Sequence, residues 1–292
     1  MTISPELASR LRAAGLDPAA VESVASAALA EDLAGGVDVT SEATVAATQV
    51  STGDFVARGS GVVAGLPVAE AVMALLGGEC TPMTGDGTRV QAGDRLLVVT
   101  GPTRALLTGE RTALNLLCHL SGVATVTRQW VDAVAGTAAV VRDTRKTTPG
   151  LRALEKYAVR CGGGTNHRMS LSDAALVKDN HVVAAGGTAA AFAAVRAMWP
   201  GLPVEVEVDS LEQLDAALDA GADLVLLDNM AADLLREAVA RTAGRARLEA
   251  SGGLRLADAR TVALTGVDFV SVGALTHSAP VLDIGLDLRE AR

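Results

Sequence analysis

PVEVEVDSLEQLDAALDAGADLVLLD, residues 203–228, decides the fold. Two short runs rich in branched apolar residues, PVEVEV (203–208) and DLVLLD (223–228), bracket the helical pattern SLEQLDAALDAG. A strand, a helix and a strand at this spacing form a βαβ unit, because parallel strands need a crossover of a dozen or more residues. Acids mark the strand ends: Glu207 and Asp209 at the first, Asp228 at the second.

The pattern continues on both sides. Further β runs are AAVVR (138–142), AALV (174–177), ARLEA (246–250) and VDFVSV (267–272), with helical segments between most of them. Polar or glycine residues follow each run: Arg145 and Lys146, then Lys178, the acids already named, Ser251-Gly252-Gly253, and Gly273. Lys178, Glu207, Asp228, Ser251 and Gly273 are spaced 29, 21, 23 and 22 residues apart, one βα unit each. Functional groups gathered at successive strand C-termini are what a (β/α) barrel presents at its catalytic face. An open doubly wound sheet would instead concentrate them at one switch point. The expected fold class is therefore α/β with a barrel.

The residues before Thr103 read differently. SPELASRLRAAGLDPAAVESVASAALAEDL predicts two helices, with Ser4-Pro5 and Asp17-Pro18 as start signals. Strand-like alternations (QVSTGDFVARGSGVVAG and DRLLVVTG) and the helix PVAEAVMALLG follow, an α+β module. Its hairpin-like GTRVQAGDRLLVV evokes a lipoyl or biotinyl carrier, but that chemistry needs a lysine, and residues 1–145 contain none.

Composition narrows the function. The chain has 292 residues, 49% of them apolar, enough for a large core in one or two domains. A net charge of −9 and 2% aromatic residues argue against nucleic-acid binding, which needs massed cations and stacking platforms. No apolar run reaches membrane-spanning length and the first residues lack the zones of an export signal, so the cytoplasm is the expected location and no membrane partner is expected. Cys80, Cys118 and Cys161 are scattered, suggesting neither disulfides nor a thiolate metal site.

Charge is unevenly spread. Between Val141 and His181 eight basic residues face four acids, and all three lysines of the chain, Lys146, Lys156 and Lys178, lie in that segment. Gathered at one barrel face, Arg145, Lys146, Lys178, His167 and Arg168 would oppose Glu207, Asp209 and Asp228. Such a set suits a polyanionic ligand rich in carboxylate or phosphate. The acids either hold a hard cation such as Mg²⁺ or pair with the cations in an inert network. The glycine turns ASGGL and SVGAL at the last two strand ends favour a phosphate. Other residues have plainer readings. Glu155 and Lys156 are expected on a solvated helix face, Asp209 is an N-cap or a ligand, His119 and Cys118 are core, and His181 and His277 are structural.

Motifs then carry a resemblance. ERTALN (110–115), LSGVAT (120–125), DTRKTTPGLR (143–152), EKYAVRCGGGTNHR (155–168), KDNH (178–181), VEVEVDS (204–210), LDNM (227–230), EASGG (249–253) and VSVGALTHS (270–278) together resemble quinolinate phosphoribosyltransferases. The resemblance implies transfer of the 5-phosphoribosyl group from phosphoribosyl diphosphate to the ring nitrogen of quinolinate, with decarboxylation to nicotinate mononucleotide, as in de novo NAD biosynthesis. It implies an N-terminal α/β sandwich over 1–115, joined by the tail 277–292, and an incomplete α/β barrel over 116–276.

Matched motif by motif, it places Arg145, His167, Arg168 and Lys178 on quinolinate, with Arg111 lent by the other subunit of a homodimer; a hexamer stays open. Thr144, Lys146, Lys178, Glu207, Asp228, Ser251, Gly252, Gly253, Ser271, Val272 and Gly273 would meet phosphoribosyl diphosphate. Lys146, Glu207 and Asp228 carry the catalytic roles, and Glu207 and Asp228 the Mg²⁺. The rivals are a nicotinate phosphoribosyltransferase or molybdenum-linked paralogue of the same fold, an aldolase-like barrel with Lys178 as Schiff base, and a non-catalytic phosphometabolite-binding module.

Overall fold

The computed structural model describes residues 2–289. Chain order gives α1 (Pro5–Ala13), α2 (Pro18–Leu33), α3 (Val39–Thr44), β1 (Val50–Ala57), β2 (Gly61–Val62), α4 (Leu66–Leu75), β3 (Glu79–Pro82), β4 (Arg89–Val90), β5 (Arg95–Pro102) and the long α5 (Thr103–Val134). Then come β6 (Val140–Arg142), α6 (Arg152–Cys161), β7 (Ala175–Val177), α7 (Asp179–Ala185), α8 (Thr188–Met198), β8 (Val204–Val208), α9 (Leu211–Asp219), β9 (Leu224–Asp228), α10 (Ala232–Thr242), β10 (Arg247–Ser251), α11 (Ala259–Ala263), β11 (Phe269–Ser271), α12 (Ala274–His277) and β12 (Ile284–Leu288). The six predicted barrel strands thus form within a residue or two of their sequence runs. The anticipated caps form too: Ser4 Oγ accepts from the Leu7 N–H (3.1 Å) and Asp17 from the Ala19 N–H (3.1 Å).

The chain divides into two compact units. One comprises the described residues up to Arg128, Thr148–Gly163, and those from Thr276 onward. It contains an antiparallel sheet of order β12-β1-β5-β3, with Phe55, Leu97 and Val99 in its core. The C-terminal segment is fastened there. The Leu282 N–H donates to the Cys118 carbonyl (3.0 Å), and Gly122 on α5 lies so close to Pro280 that a β-carbon would overlap it. The sequence-based division at 115/116 falls inside α5, which runs on unbroken past the division at Arg128.

The other unit, Gln129–Thr147 with Gly164–Leu275, holds a six-stranded parallel sheet of order β6-β11-β10-β9-β8-β7. Strands that run in sequence from β7 to β11 are neighbours, and β6 closes against β11, as in a barrel. The circuit stays open between β6 and β7, with a single parallel bridge from Arg142 to Thr165 in that seam. The reason lies in α6. In an ordinary βαβ crossover the helix would cover the sheet, whereas α6 belongs to the first unit. Most residues of strands β8 to β10 are buried, as expected of parallel strands covered on both faces.

Candidate active site

A cavity of about 510 Å³ opens at the C-terminal ends of the parallel strands. Its wall alternates as the strand period of two dictates. Leu176 and Lys178 from the end of β7, Leu226 and Asp228 from β9, and Glu249 and Ser251 from β10 each contribute two residues on one face. Thr144, Arg145 and Lys146 enter from the loop after β6, His167 and Arg168 from the seam, and Glu207 from β8.

The cations converge. Arg145 Nε is buried without a hydrogen-bond partner. The Arg168 guanidinium is held below its ordinary value by burial and then by the charge of Arg145, so two like charges face one enclosed space. Arg168 Nη1 donates to the Ala174 carbonyl (3.0 Å), which aims the side chain. Lys146 is presented by a tight turn in which its backbone N–H donates to Thr144 Oγ1 (3.0 Å). Lys178 forms an ion pair with Glu207 across β7 and β8.

Beyond Asp228, the turn Ser251–Gly253 completes the rim. Gly252 (φ 94°) and Gly253 (φ 59°) are left-handed, and a β-carbon on Gly252 would sit 2.8 Å from the Asn229 nitrogen. Glycine is therefore required there. A smaller acidic hollow of about 260 Å³ adjoins, lined among others by Asp179, Glu207, Asp209 and Asp228. Asp209 is not the N-cap of α9; Ser210 is, accepting from the Gln213 N–H (3.3 Å).

Beneath the cavity lies a buried ionic cluster. His167 Nε2 meets Glu205 Oε2 (2.7 Å) and lies 3.7 Å from Glu249 Oε1, while Arg142 Nη1 donates to Glu249 Oε2 (2.5 Å). Arg142 also stacks over Phe269 at 4.4 Å. The backbone N–H of Arg168 donates to His167 Nδ1 (2.7 Å), so the ring proton of the neutral imidazole sits on Nε2, facing Glu205. His167, Glu205 and Glu249 have the spacing of metal ligands, but a protonated Nε2 has no lone pair to give, and the arrangement is a hydrogen-bonded one. Fully buried Asp143 fastens the seam, accepting from the His167 N–H (2.8 Å) and the Asn166 amide (2.6 Å).

Proteins of known identity share this architecture. Residues 123–287 match the C-terminal domain of quinolinate phosphoribosyl transferase and residues 38–121 its N-terminal domain. The chain belongs to the quinolinate phosphoribosyltransferase family. It is 56% identical over 268 residues to the carboxylating nicotinate-nucleotide pyrophosphorylase of Mycobacterium leprae (strain TN), covering 89% of this chain and 94% of that one. It is 37% identical to the mitochondrial decarboxylating quinolinate phosphoribosyltransferase 2b of Nicotiana tabacum, over 89% of this chain and 80% of that one. Among solved structures, NadC from Streptococcus pyogenes matches with TM-score 0.89 and 41% identity, over 94% of this chain and 99% of that chain. Human nicotinic acid phosphoribosyltransferase, at TM-score 0.62 and 13% identity over 92% of this chain and 74% of that chain, shares the fold alone.

Of the residues that the quinolinate phosphoribosyltransferase resemblance implies, Thr144, Arg145, Lys146, His167, Arg168, Lys178, Glu207, Asp228 and Ser251–Gly253 line the one cavity. Arg111 is exposed on α5 and belongs to the other compact unit. Ser271, Val272 and Gly273 do not line the cavity. Ser271 and Val272 are buried, and the Val272 N–H is spent on the Arg142 carbonyl (3.0 Å) within the sheet. Of the two glycine turns, only the one after β10 opens into the cavity.

Two expectations are corrected. Glu155 and Lys156 are fully buried rather than solvated. Glu155 accepts from the Thr148 N–H (3.0 Å) and meets His119 Nε2 (2.8 Å), so His119 is tied to a carboxylate rather than being simple apolar core. Of the other histidines, His181 Nδ1 accepts from the Lys178 N–H (3.0 Å), and His277 Nδ1 bonds Ser278 Oγ (2.6 Å).

The cluster makes a stability prediction for this family member. Burial, then the nearby Glu205 charge, push the Glu249 carboxyl up from 4.5 to about 7, against the opposing pull of Arg142 and His167. Between those values the folded protein binds more protons than the unfolded chain, so this group's contribution to stability falls as pH rises through the window. Relative to the parent, Glu249→Gln should therefore gain melting temperature steadily between about pH 5 and pH 8. A gap independent of pH in thermal scans would contradict it.

Proposed function

We infer that the chain transfers the 5-phosphoribosyl group from phosphoribosyl diphosphate to the ring nitrogen of quinolinate and releases diphosphate and CO₂, giving nicotinate mononucleotide. The observation that carries this reading is the cavity itself, where Arg145, Lys146, Arg168 and Lys178 face Glu207, Asp228 and the Ser251–Gly253 turn. Two juxtaposed guanidiniums, one with an unpartnered buried Nε, suit a ligand with two carboxylates. A monocarboxylate such as nicotinate would leave one of them uncompensated, which favours quinolinate over the nicotinate-using rival.

Each group then has a task. Arg145 and Arg168, with His167 as part of the floor, hold the dicarboxylate and set its nitrogen toward C1′ of the sugar. Lys178 reaches both ligands from the β7 end. Bond breaking at C1′ gives an oxocarbenium-like centre and negative charge on the departing diphosphate, which Lys146 stabilises. Donors of the Ser251–Gly253 turn and Thr144 hold phosphate. Glu207 and Asp228 hold the ribose hydroxyls, and as oxygen donors beside a phosphate site they fit Mg²⁺. When bound, Mg²⁺ supplies positive charge against the phosphates. After alkylation the pyridinium nitrogen accepts the electrons left when CO₂ departs from carbon 2. That step is substrate chemistry, and the protein's part is to position the ring.

The active form is a homodimer located in the cytoplasm, with Arg111 of each subunit reaching the other's cavity. In support, Arg111 is exposed, and no single helix among the described residues is long and apolar enough to cross a membrane. Arg111→Ala and Lys146→Ala should each be nearly inactive. Mixed and allowed to exchange subunits, they should recover up to about one parental site in four, since each hybrid dimer carries one intact site. No recovery despite demonstrated exchange would place Arg111 in its own subunit's site.

The whole reading is tested by incubating the protein with quinolinate, phosphoribosyl diphosphate and Mg²⁺ and following CO₂. Release is expected, with loss on chelation and far slower turnover of nicotinate. Absence of CO₂ from correctly folded protein overturns the reading.

A further inference from the structure

Asn229 is a polar residue of this cavity wall to which the assigned roles give no task. It follows Asp228 at the end of β9 and lines the cavity wall. Its φ of 55° is left-handed, a conformation shared among the described non-glycine residues only with Ala34 and Ala243. Those two alanines cap the C-termini of α2 and α10, where a left-handed residue is ordinary. Asn229 caps no helix. Left-handed backbone at such a place persists only where the surroundings enforce it, and asparagine tolerates it better than most residues.

The surroundings do enforce it. The Asn229 N–H donates to the Ser251 carbonyl (2.9 Å), which joins the end of β9 to the end of β10. Its side-chain amide donates to Asp228 Oδ2 (2.7 Å), fixing that carboxylate. On the other side the amide lies against Gly252 so tightly that a β-carbon there would overlap Oδ1 and sit 2.6 Å from Cγ. One residue thus touches both the Asp228 carboxylate and the Ser251–Gly252 turn.

We propose that Asn229 is a positioning residue for phosphoribosyl diphosphate: it locks the acid that meets the ribose to the turn that meets the phosphate, so both ends of that substrate are held at a fixed separation. This rests on the ligand assignment given above. The quinolinate cations come from β6, β7 and the seam, so Asn229 bears on one substrate and not the other.

The experiment compares Asn229→Gly, which keeps the left-handed backbone and deletes the amide, with Asn229→Asp, which tolerates the same backbone and replaces the amide donor to Asp228 by a second carboxylate. Titration calorimetry with phosphoribosyl diphosphate plus Mg²⁺, and separately with quinolinate, is run on parent and variants together with steady-state kinetics. Both variants should weaken phosphoribosyl diphosphate about tenfold or more, while quinolinate affinity stays within about twofold. Equal weakening of both ligands, or unchanged phosphoribosyl diphosphate affinity in either folded variant, overturns the proposal. If Asn229→Gly fails to fold, Asn229→Asp decides it. A parent that binds neither ligand would instead overturn the assignment of function, a distinct outcome.

Discussion

Lys146→Ala is expected to lower kcat by about 10²–10³ while leaving quinolinate affinity within about threefold. The reason is where the charge develops. Quinolinate carries both its carboxylates before and after bond making at nitrogen, so the groups that hold it gain little in the transition state. The departing diphosphate gains negative charge only as the bond to C1′ breaks, and an ammonium aimed there acts on the barrier rather than on ground-state binding. Lys146 lines the cavity from a turn built on its own N–H and Thr144 Oγ1, so the alanine variant keeps the backbone that presents it. Arginine should rescue poorly, because a planar fork does not replace a compact charge at the end of a flexible stem. Single-turnover rates with saturating ligands, beside quinolinate binding measured by calorimetry, check both halves. A rise in quinolinate Kd matching the fall in kcat would move Lys146 to the dicarboxylate.

Much of this site was legible because strand ends announce themselves. A branched apolar run that stops at a charged residue gives both the strand and the group it presents, and so the sequence pattern places Lys178, Glu207 and Asp228 at strand ends. The layer beneath was harder to see. In VEVEV the period of two puts Glu205 on the same face as Glu207, and in LEAS it puts Glu249 with Ser251. Those alternations were available. What the sequence does not contain is the partner that makes a buried acid tolerable: Arg142 lies 107 residues from Glu249, and His167 38 residues from Glu205. Burial of Glu155 and Lys156 was hidden for the same reason, since helical spacing cannot tell a solvated face from one that meets His119. The two glycine turns looked alike because a local signal says that the chain bends, and the depth of the bend is set by neighbouring strands. The excursion of α6 into the first unit was likewise invisible to a reading that treats each helix between strands as a crossover.

Arg168→Ala carries the second large effect, and its sign differs between binding and stability. In the free protein Arg168 and Arg145 disfavour each other across the cavity, and burial adds to the cost of the Arg168 charge. Removing one guanidinium relieves that repulsion. Against this stand the lost hydrogen bond to the Ala174 carbonyl (3.0 Å), a neutral acceptor, and the attraction of Asp173 and Glu205, which is smaller than the cost of burial and of Arg145. Stability should therefore hold or rise slightly. Quinolinate binding should fall by about 10- to 100-fold, the range for a charge-assisted hydrogen bond worth about 1.5–3 kcal/mol. Groups arranged for a ligand and against the resting fold show this opposition of stability and function. Arg168→Lys separates charge from shape: it retains the repulsion and loses the bidentate fork, so affinity should drop without the gain in melting temperature. Calorimetry and thermal scans on the two variants test the pair of signs together. A destabilised Arg168→Ala with unchanged quinolinate affinity would make this arginine a structural tie to Ala174, and the claim that the cavity is built for a dianion would then rest on Arg145 alone.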